Sequence, residues 1–135
     1  MASPGFNIPP GLKCVEEYLV EPIHAASHVG SGSVAVLSTP SMIMFIEKTA
    51  LNCVQKHLPE GYTTVGTLVN VEHLNPAPVG GKIRVEVALE SIEGRRLNFN
   101  AEVYYRDVLI GRGKHSRHIV NKEKFLAKLA SLIQQ

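Results

Sequence analysis

The sequence is poor in the features that mark several specialised classes of protein. It has two cysteines among 135 residues, and its 14 basic and 12 acidic residues give a formal charge of +2. Two cysteines are too few for a disulfide framework, and the spacing of Cys14 and Cys53 matches no metal motif, so we expect two free thiols. So small a charge, carried by scattered basic residues, gives no reason to expect a nucleic-acid partner.

Long apolar runs, a secretory leader and common nucleophile or nucleotide motifs are missing as well. The longest mainly apolar stretch, at about residues 42–54, is interrupted by Glu47, Lys48 and Asn52 and is too short to span a bilayer. The first residues lack the basic and apolar regions of a signal peptide. The chain has neither a Gly-x-Ser-x-Gly elbow nor a P-loop. We therefore expect a cytoplasmic protein with no membrane partner.

A chain of this length is expected to form one domain. Residues 1–11 are rich in proline and glycine, and we predict that they are a poorly ordered lead-in to a single domain over residues 12–135. The clearest helix is predicted to begin at Thr39, as N-cap, with Pro40 in the first helical position, and to end before Pro59 and Gly61. Because this helix is apolar on nearly every side, we expect it to be buried.

On both sides of this helix the sequence shows the alternation that is typical of strands. We predict a first strand at about residues 12–20, which residues 23–29 either extend or follow with a second strand. Four later strands are predicted at about residues 63–74, 82–92, 96–106 and 108–120, before an amphipathic helix at 122–135 capped by Asn121. Strands that do not alternate with helices favour an α+β fold, in which one antiparallel sheet wraps around the buried helix.

Glu47 is the first candidate for a functional role. In the predicted helix it shares one face with Ile43, Met44, Ala50 and Leu51, because residues three and four positions apart are neighbours. A carboxylate on an apolar face loses water, and it needs a cation or hydrogen-bond donors in compensation. The alternative is that Glu47 reaches solvent or caps a nearby backbone group.

His73 is the second candidate. It has the same strand parity as Val65, Val69 and Val71, so its side chain is predicted to point to the apolar face that covers the helix. A carboxylate such as Glu47 near this imidazole would fix its tautomer and raise its basicity. The alternative is a hydrogen-bonded core histidine without a catalytic role.

Thr39 is the third candidate, because a helix N-terminus presents backbone N–H groups to an anion. It precedes Glu47 by two helical turns, roughly 12 Å, so the two side chains can meet only through a ligand that lies along the helix. The remaining histidines suggest no metal site, since His115 and His118 are three residues apart on a strand and point to opposite faces.

Four stretches between about Ser38 and Leu129 form a pattern that is shared with a known family. They are Ser-Thr-Pro-Ser-Met at 38–42 leading to Glu47, Val-Gly-Thr at 65–67 leading to Val-Glu-His at 71–73, Leu-Glu-Ser-Ile-Glu-Gly-Arg-Arg-Leu at 89–97, and Gly-Arg-Gly-Lys-His-Ser-Arg at 111–117 followed by Glu-Lys-Phe at 123–125. On these residues the chain resembles the fluoroacetyl-CoA thioesterase family of the hotdog superfamily. The joint spacing of Thr39, Glu47 and His73 is the specific part of the pattern.

The resemblance implies a hotdog fold and a thioester hydrolase that acts on acyl-CoA without a cofactor. It also implies that Thr39, Glu47 and His73 are the catalytic residues. Two further residues correspond to substrate-binding positions, since Gly66 matches a glycine whose backbone N–H contacts the thioester carbonyl and Arg117 matches an arginine of the active-site region. The family implies a homodimer, or a dimer of dimers, with each active site built at the subunit interface.

The chain departs from the family in one respect, which bears on the substrate. The fluoroacetate-hydrolysing member has an aromatic lid over its acyl pocket, whereas residues 30–33 here include no aromatic residue. We therefore expect hydrolysis of a short or small acyl thioester without fluoroacetyl specificity, with Lys114 and Arg117 near the CoA phosphates. Two alternatives stay open: an acyl-CoA hydratase or dehydratase, which the separation of Glu47 from His73 disfavours, and a non-enzymatic acyl-CoA or small-ligand binding protein.

Overall fold

The computed structural model describes residues 6–134, and it has the α+β architecture predicted from the sequence. One antiparallel sheet has the strand order β1-β3-β4-β5-β2, and the long helix α2 packs against one of its faces. The elements are β1 (Lys13–Leu19), a 3-10 turn (Pro22–His24), α1 (Ala26–Val29), α2 (Thr39–Gln55), β2 (Tyr62–His73), β3 (Lys82–Glu93), β4 (Arg96–Tyr105), β5 (Val108–Asn121) and α3 (Lys122–Ile133).

The hydrophobic core lies between α2 and the central strands. Buried side chains alternate with more exposed ones over residues 83–89 of β3 and 97–103 of β4, and the buried side chains are at most 2% exposed. Burying one large aliphatic or aromatic side chain contributes about 1.5–3 kcal/mol, so these rows and the helix residues that meet them supply most of the driving force for folding. The members of the two rows are Ile83, Val85, Val87, Leu89, Leu97, Phe99, Ala101 and Val103.

Helix α2 begins one residue earlier than predicted. Ser38, and not Thr39, is the N-cap, and its Oγ accepts a hydrogen bond from the backbone N–H of Ser41 at 3.1 Å. Thr39 is therefore the first helical residue, followed by Pro40, and its hydroxyl is not used to cap the helix. The helix is also less completely buried than expected, since Met44 is 44% exposed.

Residues 23–29 form neither an extension of β1 nor a second strand. Pro22 starts a 3-10 turn, since its fixed φ suits the first helical position, and α1 follows until Gly30 ends it with a φ of 79°. The chain then returns through a single bridge between Ala25 and Leu37 to the start of α2. Residues 26–38, which include α1 and are called the 26–38 loop below, therefore lie beside the N-terminus of α2.

Strand β2 is an edge strand with an irregularity that changes which residues face the helix. The pairing with β5 shifts between Gly66 and Leu68, so that β2 has one extra residue there. Val65 pairs with the exposed His118 and lies on the outer face of the sheet, so the prediction that it shares a face with His73 is wrong. His73 itself does lie on the inner face, because the bulge restores the parity of the residues that follow it.

The two ends of the described chain differ in how they pack. Phe6 and Ile8 are at most 8% exposed and belong to the core, and the Phe6 ring meets Tyr62 edge-on at 5.3 Å. Packing therefore begins well before residue 12, which corrects the predicted lead-in for residues 6–11, while residues 1–5 lie outside the described part. The final helix α3 is capped by Asn121 as predicted. Between residues 6 and 134, no helix is long and apolar enough to cross a membrane.

Cys14 and Cys53 form a disulfide, so the expectation of two free thiols is wrong. The bridge joins β1 to the last turn of α2, where the two Cα atoms are 5.7 Å apart. Sequence spacing could not indicate the pair, because the two cysteines are 39 positions apart and only the packing of β1 on α2 brings them together.

Reduction of this disulfide is expected to lower the free energy of unfolding by roughly 4 kcal/mol, because the bridge closes a loop of 39 residues in the unfolded chain. The measurement is chemical denaturation with and without a reductant. A double variant, Cys14→Ala with Cys53→Ala, is the control, since the reductant should not change its stability. Equal stability of the wild-type protein with and without reductant would contradict the prediction.

Candidate active site

Thr39 and His73 meet at the N-terminus of α2. Thr39 is brought there by the first turn of the helix and His73 by the last residue of β2, and Thr39 Oγ1 lies 2.8 Å from His73 Nδ1. Both side chains line a cavity of about 290 Å³ whose other walls come mainly from the 26–38 loop and from residues 74–76. The structure thus brings together two of the three predicted catalytic residues, beside a space large enough for a small acyl group.

The His73 ring is poised to accept a proton. Burial lowers its pKa below the ordinary value of 6.5, because desolvation penalises the charged imidazolium. The second ring nitrogen, Nε2, is buried and has no hydrogen-bond partner within residues 6–134. A neutral imidazole with one nitrogen bonded to the Thr39 hydroxyl can act as a general base towards a bound molecule through its other nitrogen.

Glu47 lies farther along α2, against β2 and β5. Its Oε2 is 3.5 Å from Nη1 of Arg117, and its side chain is 41% exposed, so it is both paired with a cation and open to solvent. Gly66 makes room for it, since a Cβ added at that glycine would lie 2.5 Å from Glu47 Oε2. The carboxylate therefore rests directly on the backbone of β2 at its bulge.

Arg117 is an internal support for this carboxylate and does not reach the surface. Its side chain is 6% exposed, its Nε donates to Thr64 Oγ1 at 2.7 Å, and its Nη2 donates to the Thr64 carbonyl at 2.9 Å. These bonds fix the plane of the guanidinium. The prediction that Arg117 belongs to the site region fits this position, but a role at the CoA phosphates does not.

Lys114 is also in the wrong place to bind the CoA phosphates. It lies on the outer face of the sheet, where its Nζ is 2.7 Å from Glu90 Oε1. A larger concavity of about 570 Å³ occupies this face, and paired charges line it, among them Arg112 with Glu72 at 3.8 Å. No candidate catalytic residue lines it, so the smaller cavity at Thr39 and His73 is the relevant one.

Within one chain the three predicted catalytic residues form two clusters. Thr39 and His73 make the first, and Glu47 makes the second with Gly66 and Arg117. The clusters are separated by two turns of α2, roughly 12 Å. Both clusters lie along β2, whose second edge pairs with no strand of the described chain.

Sequence reasoning missed two members of the second cluster, Thr64 and His115. His115 is fully buried, with Nδ1 at 2.8 Å from the Leu68 carbonyl oxygen and Nε2 at 3.1 Å from Arg117 Nη1. Its only signal in the sequence was that it shares strand parity with Arg117. No group of three or more histidine, cysteine or acidic side chains able to hold a metal occurs in residues 6–134.

Known proteins resemble the chain over most of its length. Residues 20–123 match the family model described as FlK, fluoroacetyl-CoA-specific thioesterase. The fluoroacetyl-CoA thioesterase of Streptantibioticus cattleyicolor is 32% identical over 94 residues, which are 70% of this chain and 68% of that protein. The chain belongs to this family.

Solved structures agree in fold. A Thermus thermophilus protein of the thioesterase superfamily is 30% identical, with a TM-score of 0.87 over 95% of both chains. A variant of the fluoroacetyl-CoA thioesterase in complex with acetyl-CoA is 26% identical, with a TM-score of 0.86 over 92% of this chain and 98% of that one. The predicted hotdog fold is confirmed, and so is the predicted enzyme class, a thioester hydrolase.

Proposed function

We propose that this protein hydrolyses acyl-CoA thioesters with short or small acyl groups, using Thr39, Glu47 and His73 as catalytic residues. The observation that carries the proposal is the Thr39–His73 hydrogen bond at the cavity, in a chain of this family. The acetyl-CoA complex of the structural relative supports a CoA thioester as the substrate. Aliphatic walls at Val36 and Leu37 suit a small apolar acyl group.

The proposed chemistry divides the work between the two clusters. The Thr39 hydroxyl and the Gly66 backbone N–H orient and polarise the thioester carbonyl, and one such donor is typically worth about 3 kcal/mol in the transition state. His73, neutral because it is buried, accepts a proton as hydrolysis proceeds. Glu47 follows one of two routes. It deprotonates a water that attacks the carbonyl, or it attacks the carbonyl itself to form an anhydride that water then opens; either way the CoA thiolate leaves and takes up a proton.

We also propose that the site is completed by a second copy of the chain. The free edge of β2 carries Leu68 and Val69, which are 41% and 39% exposed. Antiparallel pairing of two β2 edges about this apolar middle would set His73 of one copy beside the Gly66 region of the other. That arrangement would join the two clusters that stand apart in one chain.

The decisive experiment for the activity is a free-thiol assay across acetyl-CoA, fluoroacetyl-CoA and a series of branched, aromatic and long acyl-CoAs. We expect thiol release with the small aliphatic thioesters and no marked preference for fluoroacetyl-CoA. Calorimetric binding of acyl-CoA without thiol release would contradict the proposal and favour a binding protein. Loss of an enoyl-CoA double bond without thiol release would instead indicate a hydratase.

Light scattering tests the second copy. We expect a particle of twice the chain mass, or four times for a dimer of dimers. A matched variant, Leu68→Lys, places a charge in the middle of the free edge and should shift the particle towards the monomer with a loss of turnover. A monomeric wild-type protein with full turnover would refute the shared site.

The pH dependence of kcat/KM should reflect the lowered pKa of His73. A general base works only when neutral, and burial keeps His73 neutral below the ordinary imidazole pKa of 6.5. We therefore expect kcat/KM to stay level as the pH falls through 6.5 and to decline only at lower pH. A decline centred at or above pH 6.5 would contradict this role, and stability measured over the same pH range excludes unfolding as the cause.

A further inference from the structure

His115 is the buried titratable group that the proposed chemistry does not use. Its ring is fully buried, stacks near Phe99 at a centroid distance of 6.4 Å, and uses both nitrogens in hydrogen bonds. One nitrogen faces a residue of β2 and the other faces Arg117. Buried polar atoms are normally hydrogen-bonded, so the informative feature of this ring is the identity of its two partners.

The partners of the ring fix its protonation. The Leu68 carbonyl oxygen can only accept a hydrogen bond, so Nδ1 of His115 carries the proton. The Arg117 guanidinium can only donate, so Nε2 carries no proton and accepts. Both bonds are made together by one species, the neutral Nδ1–H tautomer. Burial, which lowers the pKa of His115, favours the same neutral ring.

Each end of the ring touches one part of the proposed site. Leu68 is the residue at which the β2–β5 pairing resumes after the bulge, two residues beyond Gly66. The Nη1 that His115 accepts from is also the guanidinium nitrogen nearest to Glu47 Oε2, at 3.5 Å. A Cβ at Gly66 would lie 3.4 Å from the His115 ring, so the imidazole also packs directly against that glycine.

We propose that His115 is a positioning residue, which ties the β2 bulge at Gly66 to the guanidinium that holds Glu47. The inference rests on the proposed function, because it assigns His115 to the geometry of the same site. The ring does not touch the substrate. It connects the two parts of the site through the Leu68 carbonyl on one side and the Arg117 guanidinium on the other, so loss of the ring leaves both supports less firmly placed.

Two substitutions separate the two hydrogen bonds. His115→Asn leaves an amide nitrogen near the place of Nδ1, which keeps the bond to Leu68 and removes the one to Arg117. His115→Gln leaves an amide oxygen near the place of Nε2, which keeps the Arg117 bond and removes the one to Leu68. We expect each variant to lose kcat by about tenfold or more per folded molecule, with KM for acetyl-CoA changed by less than about threefold. His118→Asn, on the exposed face of the same strand, is the matched control.

The double variant Glu47→Gln with His115→Asn tests whether the effect passes through Glu47. If it does, His115→Asn should cost little more once Glu47 is changed, because residues that act as a unit are not additive. Full kcat in both folded single variants, or an undiminished loss in the Glu47→Gln background, would overturn the proposal.

Nitrogen-15 spectra of the wild-type protein provide a test that no folding defect can obscure. We expect the His115 signals of a neutral Nδ1–H ring from about pH 8 down to about pH 6. An Nε2–H tautomer or an imidazolium in that range would overturn the proposal, since neither can accept from Arg117. The readouts also separate the two hypotheses: absence of thiol release by the wild-type protein refutes the function, whereas a wrong tautomer in an active enzyme refutes only the role of His115.

Discussion

Glu47→Gln and His73→Ala should each lower the turnover of acyl-CoA at least about a hundredfold while the protein stays folded. In the first variant the amide keeps the shape of the side chain but loses the charge that activates water or attacks the carbonyl. In the second, alanine removes the only base among the described residues that line the cavity beside Thr39. A hundredfold loss corresponds to about 2.7 kcal/mol of transition-state stabilisation.

Steady-state thiol release with acetyl-CoA measures both losses, and thermal unfolding measures the integrity of the fold. Glu47→Gln should also lower stability modestly, because it leaves the buried Arg117 without its anionic partner. The matched controls are Glu60→Gln and His118→Ala, which change an exposed glutamate and an exposed histidine. Turnover near that of the wild-type protein in either test variant would refute that residue's catalytic role.

Hydrophobic periodicity was sufficient to predict the long helix, the four later strands and the antiparallel sheet. The reason is that the spacing of the apolar residues follows the buried side of each helix or strand. The periodicity singled out Glu47 and His73 as polar residues on otherwise apolar faces, although the Glu47 side chain is 41% exposed and paired with Arg117 in the folded chain. The helix start was predicted one residue late, since serine and threonine are both favoured N-cap residues and Ser38 and Thr39 are adjacent. Tertiary contact decided between them, because the hydroxyl of Thr39 is engaged with His73.

The remaining errors arise where distant segments meet. No local pattern signals the β2 bulge, which moved Val65 to the outer face while leaving His73 on the inner one. The Cys14–Cys53 bridge and the hydrogen bond from His115 to the Leu68 carbonyl likewise join residues that are far apart in the sequence, and the neighbours of each residue predict nothing about its partner. Sequence could therefore supply the candidates for the site, whereas the supporting residues around Glu47 required the folded chain.

From the sequence, only the distance along α2 between Thr39 and Glu47 could be estimated. In the folded chain, Glu47 is separated from the pair formed by Thr39 and His73. This gap lies along a strand edge with exposed apolar residues. A shared site between two copies and a ligand lying along α2 are both compatible with that distance. Turnover of the Leu68→Lys variant distinguishes them, because only a shared site depends on the free edge of β2.

Gly66→Ala should abolish most of the activity at little cost in stability, and it tests whether the contact between β2 and Glu47 matters for catalysis. The added Cβ would lie 2.5 Å from Glu47 Oε2 and 3.4 Å from both Arg117 Nη1 and the His115 ring. Since the closest atom is the end of a flexible side chain, the carboxylate can move away without disturbing the sheet. Gly66 also has no positive φ, so alanine fits its backbone without strain.

We expect kcat to fall by about tenfold to a hundredfold, because a displaced carboxylate costs less than the roughly hundredfold to thousandfold loss that removal of an aligned group causes, with a free energy of unfolding within about 1 kcal/mol of the wild type. The cause can be isolated by repeating the substitution in a Glu47→Ala background, where there is no carboxylate to displace. There Gly66→Ala should cost less than about threefold. A loss of equal size in both backgrounds would show that the alanine acts on the β2 backbone. Gly66 would then matter for its backbone N–H as the oxyanion donor, and not for the placement of Glu47.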